Sequence, residues 1–98
     1  VVAALVDGIE EGEREFPNVE VNFIFSVGRE VGSKEAVRLV NEANHCDRTY
    51  VVGIGLVCDE SAYPPEKHVA MFREARELGF KTTCHAGEWV SARRKDLI

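Results

Sequence analysis

Two hydrophobic rhythms take turns along this chain. Val19 to Val27 alternates apolar with polar positions and then fills with Phe23, Ile24 and Phe25. Tyr50 to Val57 is almost wholly apolar, and Phe80 to Cys84 mixes aromatic and β-branched residues. Short, continuous apolar runs suit strands covered on both faces, as in parallel sheets. They predict strands near residues 21–27, 50–57 and 81–85. The ends of these runs, near Val27, Val57 and His85, recur about every 30 residues, the length of a βα unit.

A helical rhythm fills the gaps. Ser33 is placed to N-cap a helix whose apolar side is Ala36, Val37, Val40 and Ala43. Pro65 falls in the first turn of the next helix. Val69, Phe72, Ala75 and Leu78 fall on one face, and Gly79 stands at the C-terminal stop. Helices are therefore expected near 33–45 and 65–78. The opening segment, with Val2, Leu5, Val6 and Ile9, reads as a helix weakened by Gly8 and Gly12, and a further helix is expected to start at Ser91. Strands alternating with helices imply parallel strands joined by right-handed crossovers, an α/β fold without a linker or second domain.

Size and charge narrow the picture. The chain has 98 residues, and both ends look cut rather than natural. It reads as one internal piece, residues 1–98, of a larger protein. No apolar stretch approaches the ~20 residues of a membrane span. A net charge of −5 disfavours a nucleic-acid surface, which needs a basic stripe. Arg93-Arg94-Lys95 is too short to change that and reads as a solvated helix face. Cys46, Cys58 and Cys84 are odd in number and widely spaced, which argues for free thiols in a reducing, cytoplasmic compartment. The absence of a Cys-x-x-Cys removes the cytidine-deaminase type of zinc site.

The densest chemistry is His85-Ala86-Gly87-Glu88, at the C-terminal end of the last strand. An imidazole is the commonest protein metal ligand. A carboxylate three residues on can move a proton to or from water that a metal activates. An isolated histidine at a strand end is more often structural, and a carboxylate at Glu88 would also suit a helix N-terminus. The surroundings change those odds. Val51 to Glu60, then Pro64-Pro65-Glu66, then Phe72 to Gly79, then Thr82 to Glu88 together resemble the adenosine/adenine deaminase family, in which a strand and a Phe-x-x-Ala helix lead to a strand ending in His-Ala-Gly-Glu. The segment Val21 to Arg29 matches more loosely.

This resemblance implies part of a TIM (β/α)8 barrel, about three parallel βα units of a fold of about 250 residues. It implies a zinc-dependent aminohydrolase that converts adenine, adenosine or a related 6-aminopurine to the 6-oxo product with release of ammonia. His85 would be a zinc ligand. Glu88 would be the acid that protonates the purine ring as activated water attacks. Cys58, through its backbone amide, and Asp59 would contact the purine. Cys58 stands where many adenosine deaminases have glycine, and Gly55 where they usually have aspartate. The Gly-x-Gly-Leu form is more similar to adenine deaminases, so the purine stays open. The other zinc ligands of the family lie in segments this chain lacks, so the piece alone is expected to be inactive.

Bland readings stand beside these. Asp59 and Glu60 equally suit a polar, helix-capping loop. Arg29 either binds an anion or pairs with Glu30, Asp59 or Glu60, and we take the ion pair. Cys84 alternates away from His85 and reads as packing against helices. His45 and His68 read as surface or helix-end residues, and Trp89 as a lid over the site mouth or packing on the next helix. Gly53-x-Gly55 lies inside a strand and makes a poor phosphate loop. Two other functions remain. One is an isomerase or aldolase barrel, which would want a Schiff-base lysine at a strand end, yet Lys81 lies at the start. The other is a non-catalytic βα module that packs with partners or with copies of itself through open sheet edges.

Overall fold

The structure is a computed structural model and describes residues 1–88. Ser91, Trp89 and the Arg93-Arg94-Lys95 cluster lie outside the described residues. The elements run α1 (Val2–Glu15), β1 (Phe23–Gly28), α2 (Ser33–Asn44), β2 (Val51–Val57), a 3-10 turn (Pro65–His68), α3 (Val69–Glu77) and β3 (Lys81–Cys84). All pairing is parallel, in the order β1-β2-β3. Strands in sequence order with a helix in each crossover make two complete βα units and the strand of a third. This is the arrangement of a segment of a (β/α)8 barrel.

The register divides the sheet into two faces. Phe25 pairs with Ile54 and Val27 with Leu56, while Ile54 pairs with Thr82 and Leu56 with Cys84. Val27, Val51, Ile54 and Leu56 pack with Ala36, Val40 and Ala43 of α2, Met71 and Ala75 of α3, and Phe80. The opposite face carries Ile24, Ser26, Gly53, Gly55 and Thr83. A β-carbon on Gly55 would meet Ile24 Cγ2 at 3.3 Å and Thr83 Cγ2 at 3.4 Å. Glycine there lets neighbouring side chains close over β2. β2 is the one strand flanked on both sides and is mostly buried, while all four residues of β3 are exposed.

Several expectations shift. β1 begins at Phe23, so the alternating Val19 to Asn22 lies ahead of the strand, with Val19 and Val21 exposed. Ser33 is the first residue of α2 and makes no cap. Gly32 is the N-cap, and its extended backbone enters the helix without a side-chain bond. α3 buries Met71 and Ala75, while Val69 is exposed. The reason is the 3-10 turn: it advances about 120° per residue rather than 100° and rotates the apolar face. Gly79 does end the helix, at φ +83°. Arg48 ties the N-terminal side of this assembly, donating to Asn44 Oδ1 (2.6 Å), the Leu78 carbonyl (3.1 Å) and the Val51 carbonyl (3.2 Å), with its guanidinium 3.5 Å from the Phe80 ring centre.

Candidate active site

Parallel pairing brings three strand ends to one edge. The Arg29 amide donates to the Val57 carbonyl (3.0 Å), and the His85 amide donates to the Leu56 carbonyl (3.0 Å). Arg29, Cys58 and His85 therefore leave the sheet side by side, at the edge where barrel enzymes gather their chemistry. The sequence placed His85, Glu88, Cys58 and Asp59 at this edge, and the register does so. His85 and Glu88 are presented to solvent, each side chain 58% exposed. His85 Nδ1 lies 3.7 Å from Glu88 Oε2. That separation is too long for a hydrogen bond and gives an ion pair only when the imidazole is protonated.

Cys58 is exposed and holds φ +78°, the left-handed region that favours glycine. Asp59 folds the next turn: its Oδ1 accepts from the Ser61 amide (2.9 Å), the Ser61 hydroxyl and the Ala62 amide (3.3 Å). The Ser61 hydroxyl holds the Asp59 carboxyl below its ordinary value; desolvation opposes it, and the two amides and the charge of Arg29 lower it further.

Three side chains that sequence reasoning placed at the surface or left open are buried. Glu60 is 2% exposed, and its Oε2 accepts from the Gly87 amide at 3.0 Å. Arg29 is 1% exposed and donates through Nη2 to the His85 carbonyl and, more weakly, to Cys84 Sγ at 3.5 Å. It braces the end of β3 from across β2, and its charge also acts on the Asp59 carboxylate. His68 is also 1% exposed and donates from Nε2 to the Arg29 carbonyl at 2.9 Å. A surface role for His68 is thus corrected, while His45 is exposed at the end of α2 as expected. Cys84, expected in the core, is exposed, with Sγ against Arg29 and the His85 carbonyl. The signal for Arg29 was its place directly after an apolar strand. Nothing in residue type marked His68 or Glu60 for burial.

A pocket of about 410 Å³, lined by Arg29, Glu30, Ser33, Tyr63, Lys67 and His68, opens beside this edge. An apolar groove of about 470 Å³ lies instead against α1 and the N-terminal approach to β1, with Glu13 its one titratable side chain. The groove lacks the chemistry of the strand-end edge. Among the described residues no three His, Cys, Asp or Glu side chains group to hold a metal ion.

A family model for adenosine deaminase matches residues 1–94. The chain belongs to the adenosine deaminase family. Adenosine deaminase from Vibrio parahaemolyticus is 34% identical over 92 residues, covering 94% of this chain and 27% of the relative. Adenine deaminase from Chlorobium luteolum is 37% identical over 93 residues, covering 92% and 27%. Among solved structures, an amidohydrolase from Burkhoderia ambifaria with bound Zn superposes with a TM-score of 0.75 at 41% identity, covering 88% of this chain and 23% of that one. The chain thus spans about a quarter of the length of the relatives it matches. Within this family segment the fold runs as the sequence implied, three parallel strands with Arg29, Cys58 and His85 at the C-terminal edge.

Proposed function

We propose that this segment belongs to a zinc-dependent aminohydrolase that converts adenine, adenosine or a related 6-aminopurine to its 6-oxo product and ammonia. The observation that carries the reading is the joint presentation of His85 and Glu88, exposed and 3.7 Å apart, on the C-terminal edge of a parallel sheet. Relatives named for adenosine and for adenine match at similar identity, so the substrate is given as a class.

His85 fits a metal: it is accessible, and its Nδ1 lies near a carboxylate. A bound zinc would supply Lewis acidity and lower the pKa of water to about 7. The remaining ligands must come from outside the described residues. Glu88 delivers a proton to a ring nitrogen of the purine, which makes the amino-bearing carbon more electrophilic. The Cys58 backbone amide and the second oxygen of Asp59 orient the purine. With one ligand the segment alone holds no catalytic zinc and is inactive. The free thiols suit a reducing, cytoplasmic compartment. Among the described residues no helix is long and apolar enough to cross a membrane.

A second reading, association with partners or with copies of itself, is favoured by the fully exposed strand β3 at the sheet edge. One experiment separates the two. The full-length protein is incubated with adenine and with adenosine, while ammonia release and bound zinc are measured. Ammonia from either purine together with about one zinc per chain supports the enzyme. Neither, in a protein that associates through this segment, supports the module.

A further inference from the structure

We propose that Arg29 and Glu60 are positioning residues that set the geometry of the His85–Glu88 turn, Arg29 through the carbonyl of His85 and Glu60 through the amide of Gly87. The inference rests on the deaminase reading above and goes beyond it. The turn needs outside support. Ala86 and Gly87 carry no side chain that could brace it, and Gly87 sits at φ +72°, a conformation reached freely only without a β-carbon. His85 and Glu88 project into solvent. Their relative placement is therefore fixed by what grips the backbone between them.

Four bonds do so. The His85 amide is held by the Leu56 carbonyl, its carbonyl by Arg29 and by the neighbouring Cys84 thiol (3.2 Å), and the Gly87 amide by Glu60. Arg29 and Glu60 are 1% and 2% exposed, so these charge-assisted bonds are part-buried, with their side-chain ends shielded from water. Arg29 is itself fixed by its amide on Val57 and by His68 on its carbonyl. Burying an arginine and a glutamate is costly, and apolar residues of similar size would serve packing as well. Their contacts with the two peptide groups flanking Ala86 give that cost a use. A misplacement of about 1 Å at reacting groups can cost ~100-fold in rate.

The test uses the full-length protein. Glu60→Asp keeps the charge but withdraws the acceptor by one methylene. Glu60→Gln keeps reach and an acceptor oxygen. Each is made alone and with Glu88→Gln. We expect Glu60→Asp to lower kcat roughly 10- to 100-fold with KM within about threefold, and Glu60→Gln to retain most of the lost turnover. In the Glu88→Gln background the Glu60→Asp loss should nearly vanish, because a group acting through Glu88 has nothing left to position. Arg29→Lys, which loses the planar fork, should speed chelator stripping of zinc roughly 10-fold by loosening His85. Losses that multiply in the double variant, unchanged kcat in Glu60→Asp, or unchanged zinc retention in Arg29→Lys overturn the assignment while leaving the deaminase intact. A parent protein that neither releases ammonia nor holds zinc overturns both.

Discussion

Cys58 places a side chain where the backbone asks for none. A left-handed φ costs a residue with a β-carbon about 1–2 kcal/mol, and glycine returns part of that through the greater freedom of the unfolded chain. Cys58→Gly should therefore leave the stability of the chain unchanged or raise it by up to about 1 kcal/mol, and Cys58→Val should lower it by about 1–2 kcal/mol, both read by urea unfolding. Asp59 gives a pH signature. Its folded-state pKa is depressed, so the turn it holds is intact above the unfolded value of about 4 and is lost only as pH falls through the lower folded value. The amide shifts of Ser61 and Ala62 should stay flat from neutral pH down to about 4 and move below it; a transition centred on the ordinary carboxylate value would contradict the cause assigned here. At this scale legibility was uneven. His85 and Glu88 could be read because their spacing carries chemistry. The glycine that the family resemblance led one to expect at the Cys58 position hinted at the backbone, whereas cysteine itself announces nothing about φ. Arg29, Glu60 and His68 escaped because residue type places charge outside. Their burial comes from bonds between loops far apart in sequence, such as Arg29 to His85.

The strands and helices were the most legible level, because period and length are written directly in the apolar pattern. Their phases were less so. Taking Pro65 as the start of a regular α-helix put Val69 in the core, whereas the intervening 3-10 turn gives that place to Met71. The two residues make a direct comparison. Met71→Ala, at a fully buried site, should cost about 2–5 kcal/mol. Val69→Ala, half exposed, should change stability by about 0.5 kcal/mol or less. Equal losses in thermal unfolding would mean that α3 packs with the phase first read from the sequence. The same lesson applies to Ser33, where residue type suggested a cap that the entry angle of α2 gives to Gly32.

As a whole molecule, the chain is a run of neighbouring βα units whose order in space follows its order in sequence. That topology turns three widely separated positions, Arg29, Cys58 and His85, into neighbours on one edge. The family and the fold were legible together, since the same segments carry the apolar period and the motif. A complete metal site was not, because among the described residues no three His, Cys, Asp or Glu side chains group to hold a metal ion. The central claim is that His85 and Glu88 divide the work, one holding zinc and the other moving a proton. It is tested most directly by measuring zinc content and ammonia release side by side for His85→Ala and Glu88→Gln in the full-length protein. The account predicts that Glu88→Gln keeps its zinc and loses roughly two to four orders of magnitude in turnover, while His85→Ala loses zinc itself. A Glu88→Gln protein with parental turnover, or a His85→Ala protein with full zinc, would contradict it.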